Sequence, residues 1–186
     1  GIQMGYTVKD LLESNKFPEM QLISDHSGID REIKGARIIE MPEMEKFLVG
    51  GELLLTSMRA YEDTEEDVFL YHLKELDKKQ ISGFIVKCYQ RTEHLKRLFN
   101  ILMEFSQEYH LPVIEISEDL YFWGIIKHIL LQLCDIETAK LKYFKMTHDN
   151  LSNILLNMID SRESIERIFF LISTMLGNPV GLYNAD

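Results

Sequence analysis

Side chains able to do chemistry are plentiful in this sequence, but few have the spacing that a reaction needs. Asp25-His26-Ser27 contains the residue types of a catalytic triad, yet adjacent side chains of an extended chain point to opposite sides. No GxSxG nucleophile elbow is present. The histidines stand singly, without HExxH or a comparable metal-binding pattern: His26, His72, His94, His110, His128 and His148. The sequence therefore predicts no catalytic residue, no metal site and no cofactor.

Acidic side chains offer a second route to chemistry, because two buried carboxylates can act as a general acid and base. Glu40, Glu43, Glu45 and Glu52 could supply such a pair only if the fold brings two of them together. Solvated helix faces are the more common explanation for so acidic a sequence. His72 lies on an apolar helical stripe, which indicates a core or boundary histidine rather than a ligand.

The Gly50-Gly51 pair has the wrong order for a phosphate-binding loop, whose glycines follow a strand and precede a helix. Here the pair follows a predicted helix and precedes a predicted strand. It could end that helix, or it could let a ligand approach the backbone. We expect the residues around this turn to line or support a small polar pocket at a strand edge: Glu40, Gly50, Gly51, Glu52 and Thr56.

Charge and composition exclude several classes of partner. The 186 residues carry a formal net charge of −10, which repels a nucleic-acid backbone, and Lys140, Lys142 and Lys145 fit a solvated helix face. Cys88 and Cys134 form no pairwise motif, which favours a reducing cytoplasm over a disulfide framework. No apolar run approaches the roughly 20 residues that span a bilayer. We expect a cytoplasmic location, no membrane contact and no direct contact with nucleic acid.

Hydrophobic spacing predicts alternating helices and strands up to Ser117. Thr7 and Asp10 resemble a capping box that opens a first helix, and Pro42 suits the start of a second. Gly28 and Asp30 predict a turn, which makes a hairpin between the strands on either side plausible. The predicted strands are residues 20–24, 33–40, 52–56, 81–87 and 112–116, and further helical stripes cover residues 64–76 and 95–102. Continuously apolar strands favour a largely parallel sheet.

The residues after Ser117 show helical patterns only. Residues 120–134 are apolar nearly all round, which predicts burial on several sides. Narrower stripes follow, and we expect them to pack between two subunits: Leu151, Ile154, Leu155, Met158, Ile165, Phe169 and Ile172. The strand-like residues 180–183 have no neighbour to pair with, which predicts the start of a further domain. The fold class predicted is α/β, a mostly parallel or mixed sheet flanked by helices and followed by a C-terminal helical connector.

Several segments resemble the N-terminal domain of the purine catabolism regulator (PucR-like) family of bacterial transcription factors. The most specific is Gly50-Gly51-Glu52-Leu53-Leu54-Leu55-Thr56. Gly28-Ile29-Asp30-Arg31 and the run from Ala36 to Pro42 also match, as do residues 81–86 and 111–116, so the resemblance covers roughly residues 5 to 130. The family usually continues its glycine-led strand with Thr-Gly, whereas this chain has Ser57-Met58.

The resemblance implies a domain order. Residues 5–134 would be a sensory domain that binds a small-molecule metabolite, and residues 135–177 a helical connector and dimerisation segment. Residues 178–186 would begin a GAF-like domain, and a helix-turn-helix domain beyond this chain would contact DNA. The resemblance thus implies a homodimeric regulator of catabolic genes, with purine catabolism as the namesake. The alternative is a dimerisation or protein-interaction module without a ligand.

Overall fold

A computed structural model describes residues 1–88, 91–157 and 170 of the chain. Its helices are α1 (Val8–Glu13), α2 (Glu66–Lys78), α3 (Glu93–Tyr109) and α4 (Phe122–Asn157). Its strands are β1 (Gln21–Leu22), β2 (Gly35–Ile38), β3 (Glu52–Thr56), β4 (Gly83–Cys88) and β5 (Val113–Ser117). Short 3₁₀ turns cover Met44–Phe47 and Arg59–Tyr61. The predicted α/β class is confirmed, and each of the five predicted strands overlaps an observed one.

The five strands form one mixed sheet in the order β1-β5-β4-β3-β2. Strands β2, β3, β4 and β5 run parallel, and β1 pairs antiparallel with β5. The predicted hairpin between the first two strands is wrong, because β1 and β2 lie at opposite edges of the sheet. The four parallel strands lie side by side in the same order as in the chain. Among these four strands the order never reverses, so the ligand crevice that forms at such a reversal in other α/β sheets is absent at their carboxyl ends.

The chain between β1 and β2 crosses the sheet along the amino-terminal ends of the parallel strands. Ile23 donates its backbone N–H to Val113 O at 2.9 Å, and Lys34 donates to Gly51 O at 2.8 Å. Between them, Gly28 packs so tightly on the His110 carbonyl that any added Cβ would clash with it. The turn-forming residues of this segment therefore shape a crossing loop, and tertiary contacts override the local hairpin signal.

Helices cover both faces of the sheet. Leu54, Phe84 and Val113 of the strands are buried in one core cluster with apolar residues of α2 and α3. Leu53, Leu55, Ile85 and Ile114 point to the other face and are buried with Val8 and Leu11 of α1 and the first turns of α4. All five residues of β3 are buried, as its unbroken apolar run predicts for a central strand.

Local signals near the chain start were largely accurate. Thr7 and Asp10 form the predicted capping box: the Thr7 hydroxyl accepts from Asp10 N at 3.2 Å, and the Asp10 carboxylate accepts from Thr7 N at 2.9 Å.

The α-helix expected from Pro42 is wrong, because this segment forms only the 3₁₀ turn Met44–Phe47. Gly50 and Gly51 therefore do not end an α-helix.

Helix α4 corrects one expectation about burial. Its first turns bury Ile125, Ile126 and Ile129 against the sheet, whereas Trp123 and Leu131 on other sides are exposed. Residues 120–134 are thus buried on one side only.

Residue contacts divide the chain into two compact units, residues 1–137 and 138–186. Among the described residues, no helix is both long and apolar enough to traverse a bilayer.

Candidate functional site

The turn that precedes β3 is held by the carboxylate of Glu52. This side chain is 5% exposed, and its oxygens accept hydrogen bonds from Val49 N at 3.1 and 3.2 Å and from Gly50 N. Gly50 and Gly51 both have positive φ, at 126° and 79°. A Cβ at Gly51 would lie 2.8 Å from the Lys34 side chain, so both the conformation and the space require glycine there.

A cleft of about 710 Å³ opens beside this turn, at the amino-terminal ends of β2, β3 and β4. The residues that line it are Arg31, Glu32, Lys34, Val49, Gly50, Gly51, Asp77, Gln80 and Ile81. The lining mixes both signs of charge with an amide and exposed backbone. Such a surface suits a small polar ligand better than an apolar one.

Arg31 fixes one wall of the cleft and is engaged by the protein itself. Its guanidinium donates to the carbonyls of Ile81 and Tyr109, both at 2.8 Å, and lies 3.6 Å from the Asp77 carboxylate. The end of α3 and the segment that leads into β4 are therefore tied to the crossing loop. In the part of the chain that the structure describes, Lys34 makes no ion pair, which leaves its ammonium group available to a ligand.

The structure brings together three of the five residues predicted to line or support a pocket. Gly50 and Gly51 line the cleft, and Glu52 shapes their turn from behind. Thr56 lies at the other end of β3, about 13 Å away along the strand. Its buried hydroxyl accepts from Met58 N at 2.8 Å. Glu40 is exposed and follows β2 at that same far end.

Met58 stands where the resemblance to the family implies glycine, and its backbone has the conformation that glycine would favour. Its φ is 69° and its ψ is −3°, in the left-handed region. The side chain is 1% exposed and belongs to the core cluster that contains Tyr61 and Phe69. The departure from the family pattern therefore fills the core beside β3 and does not touch the cleft lining.

Two of the four carboxylates that the sequence offered as an acid and base pair, Glu45 and Glu52, take separate partners, and Glu40 is exposed. Glu45 lies 3.2 Å from His72 Nδ1, and His72 is 5% exposed, which confirms the prediction of a buried histidine with a partner. The Tyr61 hydroxyl makes no hydrogen bond among the described residues. Burial raises the pKa of this phenol, and the charges of Glu45 and Glu43 raise it further. The described residues contain no group of three or more His, Cys, Asp or Glu that could hold a metal ion.

Sequence reasoning missed seven of the nine residues that line the cleft: Arg31, Glu32, Lys34, Val49, Asp77, Gln80 and Ile81. Arg31 ends the segment Gly28-Ile29-Asp30-Arg31 that resembles the family, and an invariant arginine in related sequences would signal its structural role. Asp77 comes from the end of α2 and Gln80 from just after it, and only the tertiary fold places them beside Gly51. Gln80 has φ 56° and accepts from Gly51 N at 3.1 Å through its carbonyl.

Fold and cleft together define the class of the described part: an α/β domain with a five-stranded mixed sheet and a polar cleft open to solvent. The chain belongs to the purine catabolism regulatory protein-like family, whose model matches residues 10–133. A purine catabolism regulatory protein from Bacillus subtilis (strain 168) is 21% identical over 173 residues, which are 93% of this chain. The chain spans 31% of the length of that relative.

Proposed function

We propose that this chain is the N-terminal regulatory part of a bacterial transcriptional regulator, and that residues 5–134 respond to a small polar metabolite. Membership of a regulatory family supports the role. The observation that carries the ligand proposal is the cleft beside Gly50 and Gly51. Residues of the family motif shape it, and Lys34 in its lining makes no ion pair with any residue that the structure describes. The name of the Bacillus relative makes purine-derived compounds the first candidates.

In this proposal, residues 135–177 pass the state of the cleft onward and residues 178–186 begin a GAF-like domain. A helix-turn-helix domain outside this chain would contact DNA in the cytoplasm and control catabolic genes. A bound metabolite can shift the connector only by the difference in its affinity for two connector arrangements, typically about 1 to 3 kcal/mol. Residues 158–169 and 171–186 lie outside the described residues.

Thermal unfolding in the presence of purine bases, ureides and small carboxylates tests the ligand proposal. A compound that binds only the folded state, present at a concentration about 100 times its Kd, should add about 2.7 kcal/mol of stability and raise the Tm. Lys34→Ala should weaken that shift, because it removes the unpaired cation of the cleft. Lys9→Ala, on the exposed face of α1, is the matched control. Equal shifts in wild type and Lys34→Ala would reject the cleft as the site.

A second candidate function is dimerisation through the stripes of residues 151–176. Ile154 and Leu155 are 39% and 44% exposed on α4, which favours a partner for this helix, while Leu151 is buried. The other predicted interface residues lie outside the described part of the chain: Met158, Ile165, Phe169 and Ile172. Light scattering on Ile154→Ser/Leu155→Ser should show a smaller species than wild type, and an unchanged mass would oppose this interface.

A further inference from the structure

A groove between α2 and α3 combines an acidic rim with an apolar floor. Its volume is about 370 Å³. Four carboxylates line it against one cation, Lys74: Glu66, Asp67, Glu104 and Glu108. The stacked rings of Phe105 and Tyr109, with centroids 4.2 Å apart, form part of the floor. Arg97 neutralises Glu66 at 3.0 Å, but no described residue forms an ion pair with Glu104 or Glu108. The groove therefore suits a partner that is both cationic and apolar.

Helix α4 carries a surface of that complementary kind. Leu141 with Lys145 and Lys142 with Met146 are i, i+4 pairs, so the four side chains share one face, which we call the basic face. Leu141 is 68% exposed and Met146 is 58% exposed. Both lysines are exposed too, and neither makes an ion pair among the described residues. This face thus offers two cations between two uncovered apolar side chains.

We propose that the α2–α3 groove of one copy binds the basic face of α4 from a second copy. The carboxylates of Glu104 and Glu108 lie one helical turn apart, as do the ammonium groups of Lys142 and Lys145, so two charge pairs can form together. The lysine stems would lie along the apolar lining, where Leu70 is 36% exposed and Phe105 is buried beneath the surface.

Local charge complementarity argues for a second copy as the occupant, because the carboxylates of the groove and the lysines of the basic face have opposite signs. Each copy has a net charge of −10, so two copies repel each other unless opposite charges meet locally. Both halves of the complementary pair are on one chain, so a second copy supplies the basic face that the groove suits without any other partner. The groove and the cleft share no lining residue, although α2 contributes to both. This inference therefore does not depend on the proposed ligand.

Charge reversal on the full 186-residue chain tests the contact, with the dimer Kd measured by sedimentation equilibrium. Glu104→Lys/Glu108→Lys should raise the Kd at least about tenfold, because attraction becomes repulsion. Lys142→Glu/Lys145→Glu should do the same from the other side. The variant with all four changes has the wild-type net charge and should recover a Kd close to that of wild type.

The control is Glu118→Lys/Asp119→Lys, which changes the net charge as much as the groove variant but lies on an exposed loop after β5. Both the groove variant and the control make the net charge less negative, so the overall repulsion between copies falls in both. Association that weakens in the groove variant but not in the control therefore identifies a local contact. Circular dichroism and thermal unfolding verify that each variant is folded. A monomeric wild type, an unaffected Kd in either reversal, or failure of the fourfold variant to recover dimerisation would overturn the proposal.

Discussion

Met58 shows how one side chain can compensate for an unfavourable backbone. A non-glycine residue in the left-handed region costs about 1–2 kcal/mol, and the αL position of Met58 carries that cost. Its buried side chain opposes it, because deleting a buried methionine side chain costs about 2–5 kcal/mol. The sequence signalled the change from Gly but could not say whether the backbone or the side chain would adapt.

Replacing Met58 separates these two effects. Met58→Ala loses the buried side chain and keeps the strain, whereas Met58→Gly loses the side chain and relieves the strain. Both variants should be less stable than wild type. The free energy of unfolding of Met58→Gly should exceed that of Met58→Ala by about 1 kcal/mol, whereas elsewhere alanine usually gives the more stable protein. Denaturant unfolding gives both values. An alanine variant more stable than the glycine variant would show that Met58 is not held in the left-handed conformation.

Helices and strands were predictable where the burial pattern and the hydrophobic periodicity agree. The pairing of strands in the sheet was not predictable. The apolar run of β3 and the stripe of α2 from Phe69 to Leu76 identified both elements directly. The Gly28 and Asp30 turn signal gave a wrong hairpin, because the same residues suit a tight turn and a loop that crosses the sheet. Only a small part of the cleft was predictable, for a related reason: Gly50 and Gly51 lie beside each other in sequence, whereas the fold brings in Asp77 from the end of α2 and Gln80 from just after it.

The Arg31 fork connects three elements that sequence reasoning treated separately. Arg31→Lys should lower the free energy of unfolding by about 1–3 kcal/mol, because one ammonium group cannot reproduce the planar fork between Ile81 O and Tyr109 O. Chemical denaturation measures the loss. Arg37→Lys, on exposed β2, should change stability by no more than about 0.5 kcal/mol. Equal losses in the two variants would contradict a fixing role for Arg31.

At the scale of the whole molecule, the contact between α4 and the chain start should make folding sensitive to mild acid. His128 on α4 lies 3.4 Å from the Tyr6 hydroxyl and packs edge-on against Phe17. Burial lowers the pKa of His128, and the nearby charge of Lys16 lowers it further. Burial and then the charge of Asp10 raise the pKa of Tyr6 to about 12, so Tyr6 keeps its proton and can donate to neutral His128.

The direction of the pH effect follows from proton uptake. Because the folded pKa of His128 lies below the unfolded value of 6.5, the unfolded state binds more protons in this range. The stability that His128 contributes is fully present above pH 6.5 and is lost as the pH falls through the folded pKa. His128→Gln should therefore flatten the decline in Tm between pH 7 and 5.5, and His26→Gln, an exposed control, should preserve it. The same slope in all three proteins would exclude His128 as the group responsible.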